Sequence, residues 1–450
     1  TFNDINFTDG QYFTLAAKLP SPGGVSSNLH FWMKANAQAY SDAGSTLATD
    51  GQEVQEWHDQ SGKGYNATDN GATGPDWDQD GVNFNPALDF NDASSENSEV
   101  ASGIFGTETK NDIFVYMVLA DDEDRNDNIF YEGLGSNIFN SHCAWGNEYV
   151  YWDYGNTSDN TGGRVGVVDW GTDYGVTNLW AFGSSTSAST PHGTKKYIKR
   201  NNTLVDSSDP SANNYGTGNN SILFIGSGEN QRYLNGRIAE MIVYDGIPSE
   251  TEEDQIQTYL AIKYGITLDG EDYTDSDGST IIWDYSTYSA YHYDIAGVGR
   301  DDNQGLNQKQ SKSLNSDAVV TMSTEAIGTT NAGISTALTD GTYLLWGNNN
   351  ASTSADSDLP SSYTGRLQKE WVVEMTGTVA NVHIEFDLSN GNPLAGDAAA
   401  DYYLLIDADG DFTSGASATV ASSFSTGKVT FDDINFTDGQ FFTLATQQSG

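Results

Sequence analysis

The stretch GRIAEMIVYDGIPSETEEDQIQTYLAIKYGITL, residues 236–268, is the most informative about the fold of the first part of the chain. Its apolar run RIAEMIVYD (237–245) predicts a buried strand, and the turn-forming residues GIP follow it. Ser249 and Glu252 have the spacing of a capping box, apolar residues then recur at helical intervals, and Gly265 ends the pattern. The stretch therefore predicts a strand followed by a helix over 249–264 that packs on a sheet.

Short apolar runs separated by turn-rich loops extend on both sides of this stretch. Those before it are LHFWMKA (29–35), DIFVYMVLA (112–120), NLWAFGSS (178–185), KKYIKRNNTLV (195–205) and SILFIGSG (221–228). Those after it are YDIAGVGR (293–300), DAVVTMS (317–323), TYLLWG (342–347), KEWVVEM (369–375), NVHIEFDL (381–388), DYYLLIDAD (401–409), KVTFDDINF (428–436) and QFFTLAT (440–446). This spacing is typical of antiparallel sandwiches. We therefore predict an all-β protein, with one sandwich and its C-terminal helix over 26–268 and a second, immunoglobulin-like sandwich over 269–446.

The run at 381–388 shows the alternation expected of a half-buried strand. His383, Glu385 and Asp387 alternate with Val382, Ile384, Phe386 and Leu388. Successive side chains of a strand point to opposite faces of its sheet. The polar residues are therefore predicted to face solvent and the apolar residues to face a core.

One sequence occurs twice in the chain. TFNDINFTDGQYFTLA (1–16) returns as TFDDINFTDGQFFTLA (430–445), and the two copies differ only at Asn3/Asp432 and Tyr12/Phe441. Copies so far apart indicate tandem repeats of a multidomain unit. Residues 1–17 are then the terminal hairpin of a preceding unit, 18–25 a linker, and 447–450 the start of the next linker. In the second copy the hairpin is expected to turn at Thr437-Asp438-Gly439.

The charge of the chain excludes some classes of partner. It has 63 Asp and Glu against 19 Lys and Arg, a formal net charge of −44. Such a surface repels nucleic acid and anionic membranes and attracts divalent cations. No stretch approaches the roughly 20 apolar residues of a membrane span. Aromatic residues make up 12% of the chain, which indicates packed cores, and Cys143 is the only cysteine, which excludes an intrachain disulfide.

Several segments together resemble a known domain pair. PGGVSSNLHFWMKAN (22–36), EWHDQSGKGYNAT (56–68), NPALDFND (85–92) and residues 236–268 resemble a laminin-G/concanavalin A-like domain of large secreted surface proteins of Bacteroidetes. The stretches DIAGVGRDDNQGLNQKQSKSLNSDAVVTM (294–322), LLWGNNN (344–350) and LLIDADGDF (404–412) resemble the β domain that commonly follows it.

This resemblance implies a jelly-roll fold for the first sandwich and an adhesive function. It implies a repeat unit of a giant cell-surface adhesin, of the kind associated with gliding motility and attachment and exported by type IX secretion. The expected location is extracellular, at the cell surface. The expected partners are neighbouring repeats, glycans or surface polymers, and other copies of the chain in a filament, with no nucleic acid and no membrane insertion.

Two acidic loops are candidate calcium sites. Asp407, Asp409 and Asp411 alternate in IDADGDF (406–412), where they can converge on a hard cation around Gly410. The match to an EF-hand loop is incomplete, and a turn capped by aspartate side chains is the alternative. In DDEDRNDN (121–128), Asp121, Asp122 and Asp124 can form a calcium-binding rim, although a solvated loop is the favoured alternative. Asp76, Asp78 and Asp80 raise the same two alternatives.

Two aromatic clusters raise the question of sugar binding. In YVYWDYGN (149–156), Tyr149, Tyr151, Trp152 and Tyr154 can stack on sugar rings or pack against neighbouring strands. WDYSTYSAYHYD (283–294) favours packing. In WHDQSGKG (57–64), Trp57 is predicted to fill the core while Asp59 and Ser61 hold a turn around Gly62 and Gly64.

Catalytic motifs do not appear in the sequence. It contains no E-x-D-x-x-E strand, no G-x-S-x-G elbow and no H-E-x-x-H pair. We therefore predict an adhesive module without enzymatic activity. The alternatives are a calcium-dependent lectin, a filament subunit and, least favoured, a polysaccharide hydrolase.

Overall fold

The computed structural model describes residues 19–106, 108–123, 126–134, 137–156, 164–168, 174–186, 190–209, 221–228, 232–352, 355–356, 359–394 and 396–447. The predicted hairpin over 1–17 and Asp124 lie outside the described residues, as do 448–450 of the predicted C-terminal linker.

Two nine-stranded antiparallel sheets, named A and B, form the first sandwich. In chain order its strands are β1 Leu29–Lys34, β2 Ala39–Tyr40, β3 Gln52–Glu53, β4 Glu56–Trp57, β5 Ala67–Thr68, β6 Asp76–Val82, β7 Asn85–Phe90, β8 Ser98–Val100, β9 Ile113–Asp121, β10 Phe130–Leu134, β11 Asn137–Trp145, β12 Tyr149–Asn156, β13 Arg164–Val168, β14 Asn178–Ser184, β15 Lys196–Arg200, β16 Thr203–Ser208, β17 Leu223–Ile225 and β18 Gly236–Asp245. Sheet A has the order β16-β15-β14-β9-β18-β7-β6-β3, with β1 also paired to β18. Sheet B has the order β13-β12-β11-β10-β17-β8-β5-β4-β2.

Helix α1 (Glu250–Tyr264) follows β18, as the sequence predicts. The side chain of Ser249 accepts from the backbone N–H of Glu252, and the Glu252 carboxylate accepts from the backbone N–H of Ser249 at 2.8 Å. Gly265 ends the helix with φ 67°, a left-handed conformation that glycine adopts without strain. The capping box and the helix stop are both confirmed.

The rest of the chain forms a small two-stranded ribbon, a one-turn helix and a second antiparallel sandwich. The ribbon is β19 Tyr273–Thr274 with β20 Ile281–Trp283, and α2 is Tyr285–Tyr288. The sandwich strands are β21 Tyr293–Asp301, β22 Leu306–Gln308, β23 Gln310–Lys312, β24 Val320–Ser323, β25 Thr342–Asn348, β26 Ala355–Asp356, β27 Gly365–Leu367, β28 Trp371–Thr376, β29 Val382–Asp387, β30 Tyr402–Asp407, β31 Ser417–Val420, β32 Ser423–Ser425, β33 Lys428–Ile434 and β34 Phe441–Thr446. Short 3-10 helices lie at Pro22–Gly24, Asp92–Ser94, Ser289–Tyr291 and Ala399–Asp401.

The second sandwich also has two sheets, named C and D. Sheet C has nine strands in the order β22-β21-β25-β28-β34-β27-β26, with β30 paired to β34 and β31 to β30. Sheet D has five strands in the order β23-β24-β29-β33-β32. Strand β29 alternates buried and half-buried side chains as predicted. The all-β prediction, with two antiparallel sandwiches and one long helix between them, is confirmed.

The predicted hairpin over 430–445 is wrong. Strand β33 pairs with β29 and β32 in sheet D, whereas β34 pairs with β27, β28 and β30 in sheet C. The turn at Thr437-Asp438-Gly439 therefore carries the chain from one layer of the sandwich to the other. Phe436 and Phe442, on either side of this turn, meet in the core with ring centroids 5.3 Å apart, and their burial drives the chain across.

Helix α1 is buried on nearly all sides because it lies between the two sandwiches. Its residues from Gln255 to Tyr264 are all buried. One continuous apolar cluster joins the helix to the outer face of sheet A, at residues such as Phe114 and Ile242, and to the second sandwich, at residues such as Ile295 and Leu345. The two sandwiches thus share a core through the helix.

The segment predicted as a linker packs tightly at this junction. Ser21, Pro22 and Gly23 are buried, and the Ser21 N–H donates to the Asn303 carbonyl at 2.9 Å. Gly23 has φ 61°, and a Cβ there would lie 2.4 Å from the backbone of Gln255 in α1. Only glycine permits so close an approach.

The turn predicted in WHDQSGKG is confirmed. Trp57 is fully buried, and its indole N–H donates to the Lys34 carbonyl at 3.0 Å. Asp59 accepts hydrogen bonds from Ser61, Gly64 and the backbone N–H of Trp32. Its carboxylate therefore ties the turn to β1.

No helix among the described residues is long and apolar enough to span a membrane.

Candidate functional site

The outer face of sheet B carries a row of polar and aromatic side chains across four strands. Tyr131 on β10 lies opposite Asn140 on β11, Asn140 lies opposite Asp153 on β12, and Asp153 lies opposite Arg164 on β13. Residues directly opposite one another in adjacent strands project on the same face of the sheet. These four side chains are therefore neighbours.

A second row lies beside the first on the same face. His142 is opposite Tyr151, and Tyr151 is opposite Gly166. Trp145 is opposite Tyr149 at the ends of β11 and β12. We call the two rows together, with Arg232 above them, the sheet B outer face.

Buried polar groups form the floor of this face. Asp153 is fully buried, and the Arg164 guanidinium donates to both of its carboxylate oxygens at 2.6 Å. The Asn140 amide donates to the same carboxylate at 3.1 Å. These hydrogen bonds raise the pKa of Arg164 above its usual value, and a bidentate pair of this kind holds both side chains in one geometry.

His142 is buried in the same network and is neutral. Burial lowers the pKa of His142 to about 4, although Asp153 nearby partly opposes this. Its Nδ1 contacts the Asp127 carbonyl at 3.1 Å, and its Nε2 contacts the Asn140 amide nitrogen at 2.9 Å. The neutral tautomer that donates from Nδ1 and accepts at Nε2 satisfies both contacts.

An aromatic stack stands on this polar floor. The rings of Tyr149 and Tyr151 are stacked with centroids 5.3 Å apart, and the Arg164 guanidinium lies 4.5 Å from the Tyr151 centroid. Trp145 meets Tyr151 edge-on at 6.5 Å, and the Arg232 guanidinium lies 4.5 Å from the Trp145 centroid. Tyr149, Tyr151 and Trp145 are each half-buried.

Gly166 makes room for the stack. A Cβ at this position would lie 2.2 Å from Cδ1 of Tyr151. The Tyr151 ring therefore leans across β13 where a side chain is missing, next to Arg164 two residues earlier. Any larger residue at position 166 would displace the ring.

The predicted sugar-binding cluster is split between two faces of the sheet. Tyr149 and Tyr151 lie on the outer face as the prediction requires. The prediction is wrong for Trp152 and Tyr154, which are fully buried in the core between sheets A and B. The reason is the period of two in a strand, which sends alternate residues of β12 inward.

Most of the residues that complete the face were missed by sequence reasoning. Asn140, His142 and Trp145 come from β11, while Arg164 and Arg232 come from more distant segments. The alternation of Asn140 and His142 with the core residues Phe139 and Cys143 was the available signal. It indicates a polar outer face, but not which strand lies beside it.

The aspartates predicted to bind calcium at 406–412 cap the turn that follows β30. Asp407 accepts from the backbone N–H groups of Asp409 and Gly410, Asp409 from that of Asp411, and Asp411 from that of Thr413. Hydrogen bonds from Thr413 lower the pKa of Asp411. Calcium binding in this loop stays a prediction.

In the other acidic loop, Asp121 and Asp122 have separate partners. Asp121 is fully buried and accepts from the Glu123 N–H at 3.2 Å, whereas Asp122 lies 3.6 Å from Arg237. Asp76 on β6 lies directly opposite Asp89 on β7. In the part of the chain that the structure describes, no three His, Cys, Asp or Glu side chains are grouped so as to hold a metal.

A buried acid on the inner side of sheet B predicts a pH dependence of stability. Burial raises the pKa of Glu132 from 4.5 to about 8, although the backbone N–H of Ile104, 3.0 Å away, partly opposes this. An acid that binds its proton more tightly in the folded state destabilises the fold as pH rises from its unfolded pKa to its folded pKa. Between pH 5 and 8, the unfolding free energy of wild type should therefore fall relative to that of Glu132→Gln.

Thermal unfolding of both proteins at pH 5, 6.5 and 8 measures this difference. As pH rises, the unfolding midpoint of Glu132→Gln is expected to increase relative to that of wild type. Parallel midpoints across this range would show that Glu132 does not hold its proton in the folded protein.

Comparisons with known proteins give distant similarities. Among solved structures, the chain is similar to the botulinum neurotoxin serotype G binding domain, with 10% identity, 93% of each chain covered and a TM-score of 0.39. It is similar to Trypanosoma rangeli sialidase, with 8% identity, 52% of this chain and 33% of that chain covered and a TM-score of 0.32. It is also similar to domain 4 of AbnA, a GH43 extracellular arabinanase from Geobacillus stearothermophilus, in complex with arabinotriose, with 12% identity, coverage of 52% and 98% and a TM-score of 0.30.

The chain spans about a third of the length of the sialidases it matches. No curated protein matches it. A family model described as Domain of unknown function (DUF8202) matches residues 252–440, which run from within α1 to the residue before β34.

Proposed function

We propose that this chain is a carbohydrate-binding module without catalytic activity, and that it binds sugar on the sheet B outer face. The observation that carries the proposal is the stack of Tyr149, Tyr151 and Arg164 beside Trp145, above a floor of buried hydrogen-bonding groups. Sugars combine apolar ring faces, which pack on aromatic rings, with hydroxyl groups, which pair with amides and charged groups. Binding sites commonly join apolar and aromatic walls to a few fixed polar groups.

The burial and hydrogen bonding of the Asp153 carboxylate favour a binding function over a hydrolytic one. A glycosidase uses one carboxyl group as an acid and another as a base or nucleophile at the scissile bond. Asp153 is fully buried, and both of its oxygens are engaged by Arg164 and Asn140. A carboxylate held in this way orients its neighbours and does not face a substrate.

We also propose that the module serves an extracellular adhesin built of repeats. This rests on the resemblance to Bacteroidetes surface proteins and on the recurrence of residues 1–16 at 430–445. In that setting the sugar-binding face provides contact with a polysaccharide or a neighbouring cell. Calcium bound at Asp407, Asp409 and Asp411 is part of this proposal.

Replacing both tyrosines tests the function. A glycan array on the whole chain identifies a ligand, and titration calorimetry then compares wild type with the variant Tyr149→Ala/Tyr151→Ala. We expect the variant to bind at least about tenfold more weakly, because it removes the stacking surface. Both side chains lie outside the sandwich core, so the fold should remain intact.

Tyr293→Ala is the matched control, because Tyr293 is an exposed tyrosine of the second sandwich. It should leave the affinity unchanged. The proposal is wrong if no glycan binds, or if the double variant binds as tightly as wild type. Repeating the titration with a chelator tests the calcium part, which requires that affinity or stability fall.

A further inference from the structure

The sheet B outer face carries two arginines in a chain that has few basic residues. The chain has 19 Lys and Arg residues against 63 Asp and Glu. Two of the arginines, Arg164 and Arg232, lie over aromatic rings of this one face. Such placement holds a guanidinium by its planar surface and leaves its edge available for hydrogen bonds.

The two arginines differ in their partners. Arg164 is paired with Asp153 through two hydrogen bonds, which neutralise its charge. Arg232 contacts the ring of Trp145, and among the described residues it forms no ion pair with a carboxylate. Its positive charge is therefore not neutralised by the described groups of the face.

The side chains of the two rows beside Arg232 do not oppose an incoming anion. The charge of Asp153, the carboxylate of the floor, is compensated by Arg164. Tyr149 and Tyr151 are uncharged, and His142, which packs against Trp145 at 4.6 Å, donates and accepts as a neutral ring. Charges close to Arg232 matter most for binding, because more distant negative charge on the surface is screened over about 8 Å at physiological salt.

We propose that the site prefers acidic saccharides, and that Arg232 binds their anionic group while Trp145, Tyr149 and Tyr151 contact the sugar rings. The proposal rests on the carbohydrate-binding function stated above and adds the ligand class. A guanidinium suits this task because its fork of N–H groups matches a carboxylate or a sulfate with two parallel hydrogen bonds. A lysine offers the charge without that geometry.

Matched oligosaccharides test the ligand class. A neutral oligosaccharide, its uronate counterpart with a carboxylate at C6, and a sulfated counterpart are titrated into wild type, Arg232→Gln and Arg232→Lys. Wild type is expected to bind an anionic chain about tenfold more tightly than the neutral one. Arg232→Gln should lose about tenfold on the anionic chain and less than twofold on the neutral chain, with Arg232→Lys intermediate.

The outcomes separate this inference from the proposed function. If wild type binds the neutral chain as tightly as the anionic ones, the inference is overturned and the carbohydrate-binding function stands. If no saccharide binds, both fall. If only the sulfated chain binds and Arg232→Gln abolishes that binding, the inference holds and the anion is a sulfate ester. Arg300→Gln, which alters an exposed arginine paired with Asp302 in the second sandwich, should change no affinity.

Discussion

Replacing Glu240 by alanine will lower the unfolding free energy by about 3–5 kcal/mol, the usual effect of removing one partner of a buried ion pair. Glu240 on β18 is fully buried beneath α1. Its carboxylate lies 2.7 Å from the Lys263 ammonium and accepts from the Trp32 indole at 2.6 Å. Burial alone would raise the pKa of Glu240, but Lys263 and Lys34 beside it hold that pKa below its usual value.

Several groups lose their acceptor at once when this carboxylate is removed. The hydroxyls of Tyr259 and Tyr264 donate to it at 2.9 and 2.8 Å. Lys263 would then be left buried with a charge and no carboxylate to balance it. An unpaired buried charge costs far more than a lost exposed pair, since water cannot solvate it.

Chemical denaturation of wild type, Glu240→Gln and Glu240→Ala measures the effect. The glutamine variant keeps one acceptor oxygen and should be destabilised less, so it provides a measurable step if the alanine variant fails to fold. Asp302→Asn, which removes the exposed pair with Arg300, should change the unfolding free energy by less than about 1 kcal/mol. Equal midpoints for Glu240→Gln and wild type would show that the buried pair does not hold the helix.

A chain ending at residue 268 will not form a stable native monomer, although residues 26–268 have the appearance of a complete domain. The far side of α1 packs against the β19–β20 ribbon and the second sandwich in a shared apolar cluster that includes Tyr273, Trp283, Ile295 and Leu345. Each fully buried large apolar side chain contributes roughly 1.5–3 kcal/mol, so truncation removes several such contributions and exposes an apolar helix face.

Polar contacts at the same junction strengthen this expectation. The Asn83 and Asn85 amides both donate hydrogen bonds to the Lys263 carbonyl in α1. In the second sandwich, Asn83 also donates to the Ser311 hydroxyl and Asn85 to the Gln308 side-chain carbonyl. Truncation removes Ser311 and Gln308, so each of these buried amides keeps its Lys263 acceptor but loses its partner in the second sandwich. The two sandwiches should therefore unfold together in the whole chain.

Size-exclusion chromatography and two-dimensional NMR of residues 19–268 and 19–447 test this prediction. The longer chain should be a monomer with dispersed resonances and one cooperative unfolding transition. The shorter chain should aggregate or lose dispersion. A truncated chain that remains monomeric, with dispersed resonances and an unchanged unfolding midpoint, would show that the first sandwich is independent.

The segment YVYWDYGN shows how far sequence reasoning reached for the site. Its aromatic residues left two placements open, on an outer face where sugar could stack or packed between strands, and both placements occur within the same eight residues. Tyr149 and Tyr151 face outward, whereas Trp152 and Tyr154 fill the core. Because side chains alternate along a strand, the division of these residues between two faces was predictable. Which of the two sets faces the core depends on the side on which the second sheet packs, and the sequence of this strand does not specify that.

The repeated sequence shows a comparable limit for the fold. Its second copy contains two strands joined by a tight turn, as the sequence predicts, and Gly439 has the positive φ of 76° that the turn requires. A tight turn between two strands usually makes a hairpin. Here each strand finds its hydrogen-bond partners in a different sheet, because Phe436 and Phe442 are buried between the layers.

Neighbouring residues control the all-β class, the capped helix after β18, the Asp59 turn and the alternation of β29, and these features were predictable. They depend on caps, turns and periodicity within a few residues of one another. Three other features follow from tertiary packing: α1 is enclosed by both sandwiches, Glu240 pairs with Lys263, and Arg164 and Arg232 contact the aromatic residues of β11 and β12. Those contacts depend on strand order and register, which are set by the packing of segments far apart in the chain.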